Sequence, residues 1–386
     1  MKTIYFVAGE ASADNHGAAL MRSLRELSTN CRIQFAGRGG AQMREIAGGQ
    51  LKNWIGDAAV LGLWEVIRKY SYFREQFRQT LDEIQKSKPD TVVLIDYPGF
   101  NLRLARALRK RSPRQKIIYY ISPQVWAWNR GRIKKMARHL DLMLCIFPFE
   151  ADLYNESGLH AVFVGHPMIE RLEAERIDTE RDPNLVGLFP GSRLREVRKI
   201  LPVLIDTANL LKRHKPTLRF EVAAASAELA AEMDKMLKQR RSISGQDRQM
   251  IQIKIGETAA IMQRAFVGIV ASGSATLEAA YFRLPFVLIY KVAWPTYLAA
   301  RLVVTIKYLG MPNVLANKEV VPEFIQHEAK PSLIVKTVRQ LMEKTEARAQ
   351  MVAGFDEIVS QLAKGDASKR AAQVIIDEIG RSTSKE

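Results

Sequence analysis

The chain has 386 residues, 47% of them hydrophobic and 26% charged, which is too apolar for a disordered chain and long enough for two cores. Its 58 lysines and arginines against 41 acids give a formal charge of +17, which favours a negatively charged partner: nucleic acid, an anionic membrane or a phosphorylated substrate. Two distant cysteines, Cys31 and Cys145, exclude a disulfide framework and cysteine metal-ligand spacing, and no apolar run reaches the length of a membrane span.

Residues 1–9 carry one lysine and a short strand-like run, too little for a signal peptide, so the cytoplasm is the expected location. A strand over 3–8 runs into Gly9-Glu10-Ala11-Ser12-Ala13-Asp14, followed by a helical segment over 16–27. A small-residue turn that opens a helix offers N–H groups to an anion or a sugar. The plainer alternative is a capped helix start, with Ser12, Asp14 or Asn15 as the cap. A second strand follows over 32–36.

Residues 61–78 interleave aromatic and basic side chains at helical spacing. Such a segment either packs in a core or lies on an anionic membrane, with Leu63, Trp64, Ile67, Arg68, Tyr72 and Phe73 as the contacts. The strand over 91–95 ends at Asp96-Tyr97-Pro98-Gly99-Phe100-Asn101. An aspartate there can serve as general base, yet the composition is also that of a turn in which Asn101 caps the helix over 101–111.

The strand over 116–121 leads into Ser122-Pro123-Gln124-Val125-Trp126-Ala127-Trp128, whose tryptophans suit either a sugar or lipid contact or a packed corner. Between 101 and 140 stand twelve basic residues and no acid. Strands over 141–147 and 162–164 precede Val164-Gly165-His166-Pro167. The polar stretch 169–184 reads as a linker.

The second half repeats the pattern, with strands over 185–189, 219–224, 251–255, 267–271 and 286–290. Pro190-Gly191-Ser192-Arg193 and Ser272-Gly273-Ser274-Ala275-Thr276-Leu277-Glu278 each follow a strand and read as phosphate-binding turns. Helical segments over 331–344, 347–362 and 368–379 close the chain. Apolar strands alternating with helices predict an α/β fold of two doubly wound, Rossmann-like domains facing a cleft. The expected domains are 1–168 for the acceptor and 169–365 for the donor, with a helix over 366–386 packing back on the first. The six histidines show no ligand spacing, so no metal site is expected.

In this order and spacing, the motifs resemble the lipid-A-disaccharide synthase family, glycosyltransferases of the GT-B fold. Further landmarks are Phe147-Pro148-Phe149-Glu150 and Met311-Pro312-Asn313. The resemblance implies inverting transfer of 2,3-diacylglucosamine from UDP-2,3-diacylglucosamine to 2,3-diacylglucosamine 1-phosphate (lipid X). The products would be a β-1,6-linked disaccharide 1-phosphate and UDP. It also implies no cofactor or metal, a peripheral place on the cytoplasmic face of the inner membrane, and a homodimer with exchanged C-terminal parts.

By the same resemblance Asp96 is the general base and Arg193 neutralises the leaving diphosphate. Ser192, Arg193, Ser272, Gly273, Ser274, Ala275, Thr276, Glu278, Asn313 and Glu319 line the UDP site, and Glu10, Ser12, Gln124 and His166 the acceptor site. Ala13 departs from the glycine of many members. Two other readings stay open: a GT-B enzyme such as a UDP-N-acetylglucosamine 2-epimerase, and a non-enzymatic nucleic-acid binder. The second lacks any recognition module in the sequence.

Overall fold

A computed structural model describes residues 1–28, 32–55, 70–239, 251–294, 297, 306–343 and 345–383. In chain order these form β1 (Lys2–Ala8), α1 (Ala11–Leu27), β2 (Ile33–Gly39), α2 (Ala41–Ile46), β3 (Leu51–Asn53), α3 (Tyr70–Ser87), β4 (Thr91–Ile95) and α4 (Pro98–Arg111). Next come β5 (Lys116–Tyr120), α5 (Val125–Trp128), α6 (Gly131–Ala137), β6 (Leu142–Cys145), α7 (Pro148–Glu156), β7 (Ala161–Phe163) and α8 (Met168–Ala174). The second half runs β8 (Asp182–Phe189), α9 (Leu194–His214), β9 (Arg219–Ala224), α10 (Ala227–Gln239), β10 (Ile251–Ile255), α11 (Thr258–Arg264), β11 (Ala265–Ala271) and α12 (Ala275–Tyr281). It ends with β12 (Phe286–Tyr290), α13 (Met311–Ala316), β13 (Glu323–Ile325), α14 (Pro331–Glu343), α15 (Thr345–Leu362) and α16 (Ala367–Thr383).

The chain divides into two compact units. The first comprises Met1–Pro167 and Leu362–Glu386, the second Met168–Gln361. The first unit holds a parallel seven-stranded sheet in the order β3-β2-β1-β4-β5-β6-β7. The second holds a parallel six-stranded sheet in the order β10-β9-β8-β11-β12-β13.

Both faces of the first sheet are covered, which is why β4 is buried at every position from Thr91 to Ile95. Ile4, Phe6 and Ala8 of β1 pack on one face with Leu20, Met21 and Leu24 of α1 and Ala371, Ala372 and Ile375 of α16. Tyr5 and Val7 point the other way, toward Leu81 and Ile84 of α3 and Leu104 and Leu108 of α4. Each large side chain so buried contributes about 1.5–3 kcal/mol. In the second unit α9 buries Val197, Ile200, Leu201, Leu204, Ala208 and Leu211, a stripe at helical spacing.

The structure corrects the linker reading of 169–184. Residues 168–174 are helical, and β8 begins at Asp182. Arg181 between them is anchored. Its guanidinium donates to the carbonyls of Met262 (2.8 Å), Ala265 (2.6 Å) and Phe282. At Arg181 polarity serves to capture orphan carbonyls, while most of 171–180 is exposed to solvent. The register slip between β8 and β11 falls between Asp182 and Val186, a stretch that includes Pro183, which has no N–H to give the ladder. The three-residue strands β3 and β13 escape sequence reading, being too short to form an apolar run.

Leu63, Trp64, Ile67 and Arg68 lie outside the described residues. Phe73 is partly buried against the first unit's core, and Tyr72 stands edge-on to it at 5.5 Å. Among the described residues no helix is long and apolar enough to cross a membrane.

Candidate active site

In each sheet the strand order reverses beside the first strand of that sheet: β1 lies against β4, and β8 against β11. Ligands of parallel α/β sheets bind outside the carboxyl ends of strands at such a switch point. Four of the motifs found in sequence are the loops that leave these four strands, and Ser122–Trp128 and Val164–Pro167 follow β5 and β7.

In the first unit, β1 leaves through Gly9 and Glu10, and β4 through Asp96 and Tyr97. Asp96 (φ 46°) and Tyr97 (φ 49°) are both left-handed, and so is Ile121 (φ 65°) at the end of β5. Such conformations cost on the order of 1–3 kcal/mol each and persist only where surrounding bonds enforce them. Here the Asp96 N–H donates to the Tyr120 carbonyl at 3.0 Å. The Asp96 carbonyl accepts from the Tyr119 hydroxyl at 2.6 Å and the Asn101 amide at 2.8 Å. Asn101 is wholly buried and also reaches the Ile95 carbonyl, at 3.2 Å. It therefore clamps the turn from inside α4 rather than capping that helix, whose N-cap is Tyr97.

Tyr97 swings its ring over Gly9, where a Cβ would come within 2.4 Å of it. The ring also stands edge-on to Trp54 at 6.2 Å, and the Trp54 indole donates to the Ala8 carbonyl at 2.6 Å. This packing draws the β1 and β4 exits together. Burial pushes the Asp96 carboxyl up to about 6; the negative Glu10 adds to the effect, and a bond from the Tyr97 N–H partly offsets it. The same two influences, with Tyr72, push Tyr97 up to about 12.

The neighbouring loops supply support. Glu150, wholly buried, accepts from the Trp126 indole at 2.9 Å, and burial pushes its carboxyl up to about 7. Trp126 is buried edge-on to Phe149, while Trp128 is 42% exposed, so the packed-corner reading holds for the first tryptophan alone.

In the second unit, β8 leaves through Gly191 (φ 103°) and β11 through Gly273 (φ 145°), conformations that favour glycine. Arg193 is the N-cap of α9 and its side chain is 78% exposed, 3.4 Å from Glu196. A Cβ on Gly191 would meet the Glu196 carboxylate at 2.6 Å, so that carboxylate lies across the turn. Burial, reinforced by Glu196 and opposed by Arg193, raises Tyr290 at the end of β12 above the usual tyrosine value. The open N-terminus of α9, with Arg193 beside it, suits an anion such as a diphosphate.

A family model described as lipid-A-disaccharide synthetase matches residues 4–376. The chain belongs to the lipid-A-disaccharide synthetase family. A lipid-A-disaccharide synthase of Geobacter sulfurreducens is 35% identical over 386 residues, covering 98% of this chain and 97% of its own. The glycosyltransferase of kitacinnamycin superposes with a TM-score of 0.63 at 12% identity, over 98% of this chain and 99% of its own. A UDP-GlcNAc 2-epimerase from Neisseria meningitidis bound to UDP-GlcNAc gives 0.59 at 13%, over 98% and 100%. The last two share the fold alone. The chain is thus a glycosyltransferase of the GT-B fold, and the family match favours neither the epimerase nor the nucleic-acid reading.

Within this chain the expected site residues separate into groups. Glu10, Asp96, Gln124 and His166 all follow strands of the first sheet at their carboxyl ends, and Ser12 is exposed in the first turn of α1. The N-cap of α1 is Glu10, so none of Ser12, Asp14 and Asn15 caps it. Asp14 is instead buried and accepts from the N–H groups of Gly40 (2.9 Å), Gln42 (3.1 Å) and Met43 (3.1 Å), capping α2. His166 packs its ring 5.1 Å from Phe147.

Ser192, Arg193, Ser272, Gly273, Ser274 and Ala275 lie in or beside the β8 and β11 exits, partly or fully exposed. Glu278 accepts from Arg171 at 2.9 Å. Two expectations need correction. Thr276 is wholly buried with its hydroxyl on the Gly273 carbonyl at 2.7 Å, so it shapes the turn instead of lining it. Asn313 is also wholly buried: its amide donates to the Val321 carbonyl and to Glu323, and its carbonyl accepts from Val320 and Val321. It fixes the α13–β13 connection and has no group left to offer a ligand. Glu319 is exposed four residues ahead of β13.

Sequence reading named Glu150 only as part of a landmark and missed Glu196 and Tyr119. The acids stand at the third position of their helices, a spacing that was readable. Tyr119, inside a strand, carried no signal.

Proposed function

We propose that this enzyme transfers 2,3-diacylglucosamine from UDP-2,3-diacylglucosamine to lipid X, with inversion, giving the β-1,6-linked disaccharide 1-phosphate and UDP. The Asp96 carboxylate takes the proton from the acceptor 6-hydroxyl as that oxygen bonds to the donor's anomeric carbon. On the opposite face, the bond from that carbon to the diphosphate breaks, and UDP leaves with the electron pair. Arg193 and the α9 N-terminus hold the departing negative charge. Ser272, Gly273 and Ser274 offer N–H groups and hydroxyls to the diphosphate, and Glu278 offers a carboxylate to the ribose. Both substrates being lipids, the enzyme works at the cytoplasmic face of the inner membrane.

The observation that best supports this reading is Asp96 itself: a largely buried carboxyl, held in a left-handed turn at the switch point and lifted to about 6. A base titrating near the working pH combines ionisation with proton affinity. The test is to supply UDP-2,3-diacylglucosamine and radiolabelled lipid X in mixed detergent micelles. Disaccharide and UDP in equal amounts are expected, both lost in Arg193→Ala. Free 2-epimerised sugar without disaccharide would contradict the proposal.

A further inference from the structure

A groove of about 480 Å3 runs between α4 and α6 in the first unit. Arg103, Arg106 and Lys110 line one side, and Arg132, Lys135 and Arg138 the other. All six are exposed, and among the described residues none is paired with a carboxylate. Of the nearby cations, Arg109 pairs with Asp141, Arg111 with Asp82 and Lys116 with Glu378, while Arg114, Arg130 and Lys134 pair with no carboxylate among the described residues. The groove gathers six uncompensated charges on one surface. Burial, together with Arg106, Arg109 and Arg138, pushes the adjoining His139 below its ordinary value.

The floor is aliphatic, formed by Leu102, Ala105, Met136 and Leu140. At the rim the Arg132 guanidinium lies 4.8 Å over the ring of the exposed Trp128. Six cations around an aliphatic floor, with an interfacial aromatic beside them, match a phosphodiester headgroup whose neighbouring acyl chains are apolar. A nucleic acid would find the charge there, but no stacking surface on the floor. The groove begins at Pro98 and Gly99, the residues that follow Asp96 and Tyr97.

We propose that this groove binds the anionic headgroup of a membrane phospholipid and seats the enzyme on a negatively charged bilayer beside Asp96. The inference rests on the reading that the substrates are membrane lipids.

The test is cosedimentation of the full chain with vesicles of phosphatidylcholine, alone or with roughly a third phosphatidylglycerol, in about 0.1 M salt. Wild type should pellet only with the charged vesicles. Arg106→Gln/Lys135→Gln/Arg138→Gln should weaken that partition at least about tenfold, each cation near the surface being worth about fivefold. Lys199→Gln/Arg213→Gln/Lys336→Gln removes equal charge from the second unit and should change it far less. Retained transfer in mixed micelles shows that the groove variant is folded.

Equal binding by the groove variant and wild type, equal loss in both triple variants, or equal pelleting of wild type with uncharged vesicles would each overturn the proposal. So would release by millimolar glycerol phosphate, which would indicate a free-phosphate site, or displacement by a short DNA duplex that the groove variant fails to bind. Charged-vesicle binding without disaccharide formation would sink the proposed reaction and leave the groove standing. Disaccharide formation without vesicle binding would do the reverse.

Discussion

Asn101 holds Asp96 in place from beneath, its buried amide donating to the Asp96 carbonyl at 2.8 Å. The contact links helix α4 to the strained turn that presents the proposed base. Asn101→Leu removes the donor and leaves strand-end carbonyls without it, at a cost of about 1–3 kcal/mol. A lower melting temperature and a fall in kcat larger than any rise in KM are expected. Unchanged kcat in a destabilised protein would limit Asn101 to folding.

Asp96 should be a liability to stability. Its folded carboxyl titrates near 6, above the 3.8 of an ordinary aspartate, so the folded state binds more protons between those values. Stability therefore falls as pH rises from about 4 to 6. Asp96→Asn removes the buried charge, and at pH 8 it should melt above wild type, by the equivalent of on the order of 2 kcal/mol. Equal or lower melting at pH 8 would contradict the burial argument.

Gly191 sits at φ 103° with the Glu196 carboxylate across it. Gly191→Ala must strain the backbone and displace Glu196, at about 1–3 kcal/mol. Isothermal titration with UDP should show weakened binding, roughly tenfold or more. Unaltered UDP affinity would place the diphosphate elsewhere.

Arg181 satisfies three carbonyls, on Met262, Ala265 and Phe282, at the start of the second unit. Burial lowers it to about 10, with Arg348 adding to the effect. Arg181→Met keeps most of the packing and orphans all three acceptors. Urea denaturation should show about 3 kcal/mol or more of destabilisation. A loss below about 0.5 kcal/mol would restore the linker reading.

Strands were legible where both sheet faces are buried. The runs 91–95 and 219–224 match β4 and β9 residue for residue: β4 is buried at every position, and β9 keeps Phe220 and Val222–Ala224 buried beside an exposed Arg219 and a half-buried Glu221. The switch-point loops were legible because small residues cluster at strand ends. Individual roles inside them were less so. Asp14 reads as a cap for its own helix, yet its partners lie 26 to 29 residues ahead. Asn101 and Asn313 read as cap and ligand, and both are spent on buried backbone groups. Trp126 and Trp128 read as a pair, but about 200° separates positions i and i+2 on a helix, so one enters the core and the other leaves it. Composition marks where a polar residue sits in a motif; only the tertiary partner decides what it holds.

The most direct test of the account is the pH dependence of kcat/KM for disaccharide formation, wild type beside Asp96→Asn. Wild-type activity should fall about tenfold per pH unit below an apparent pKa near 6. The variant, folded and stable, should lose at least about a hundredfold of activity and that pH limb with it. A variant that keeps wild-type activity, or the same acid limb, would remove Asp96 as the base.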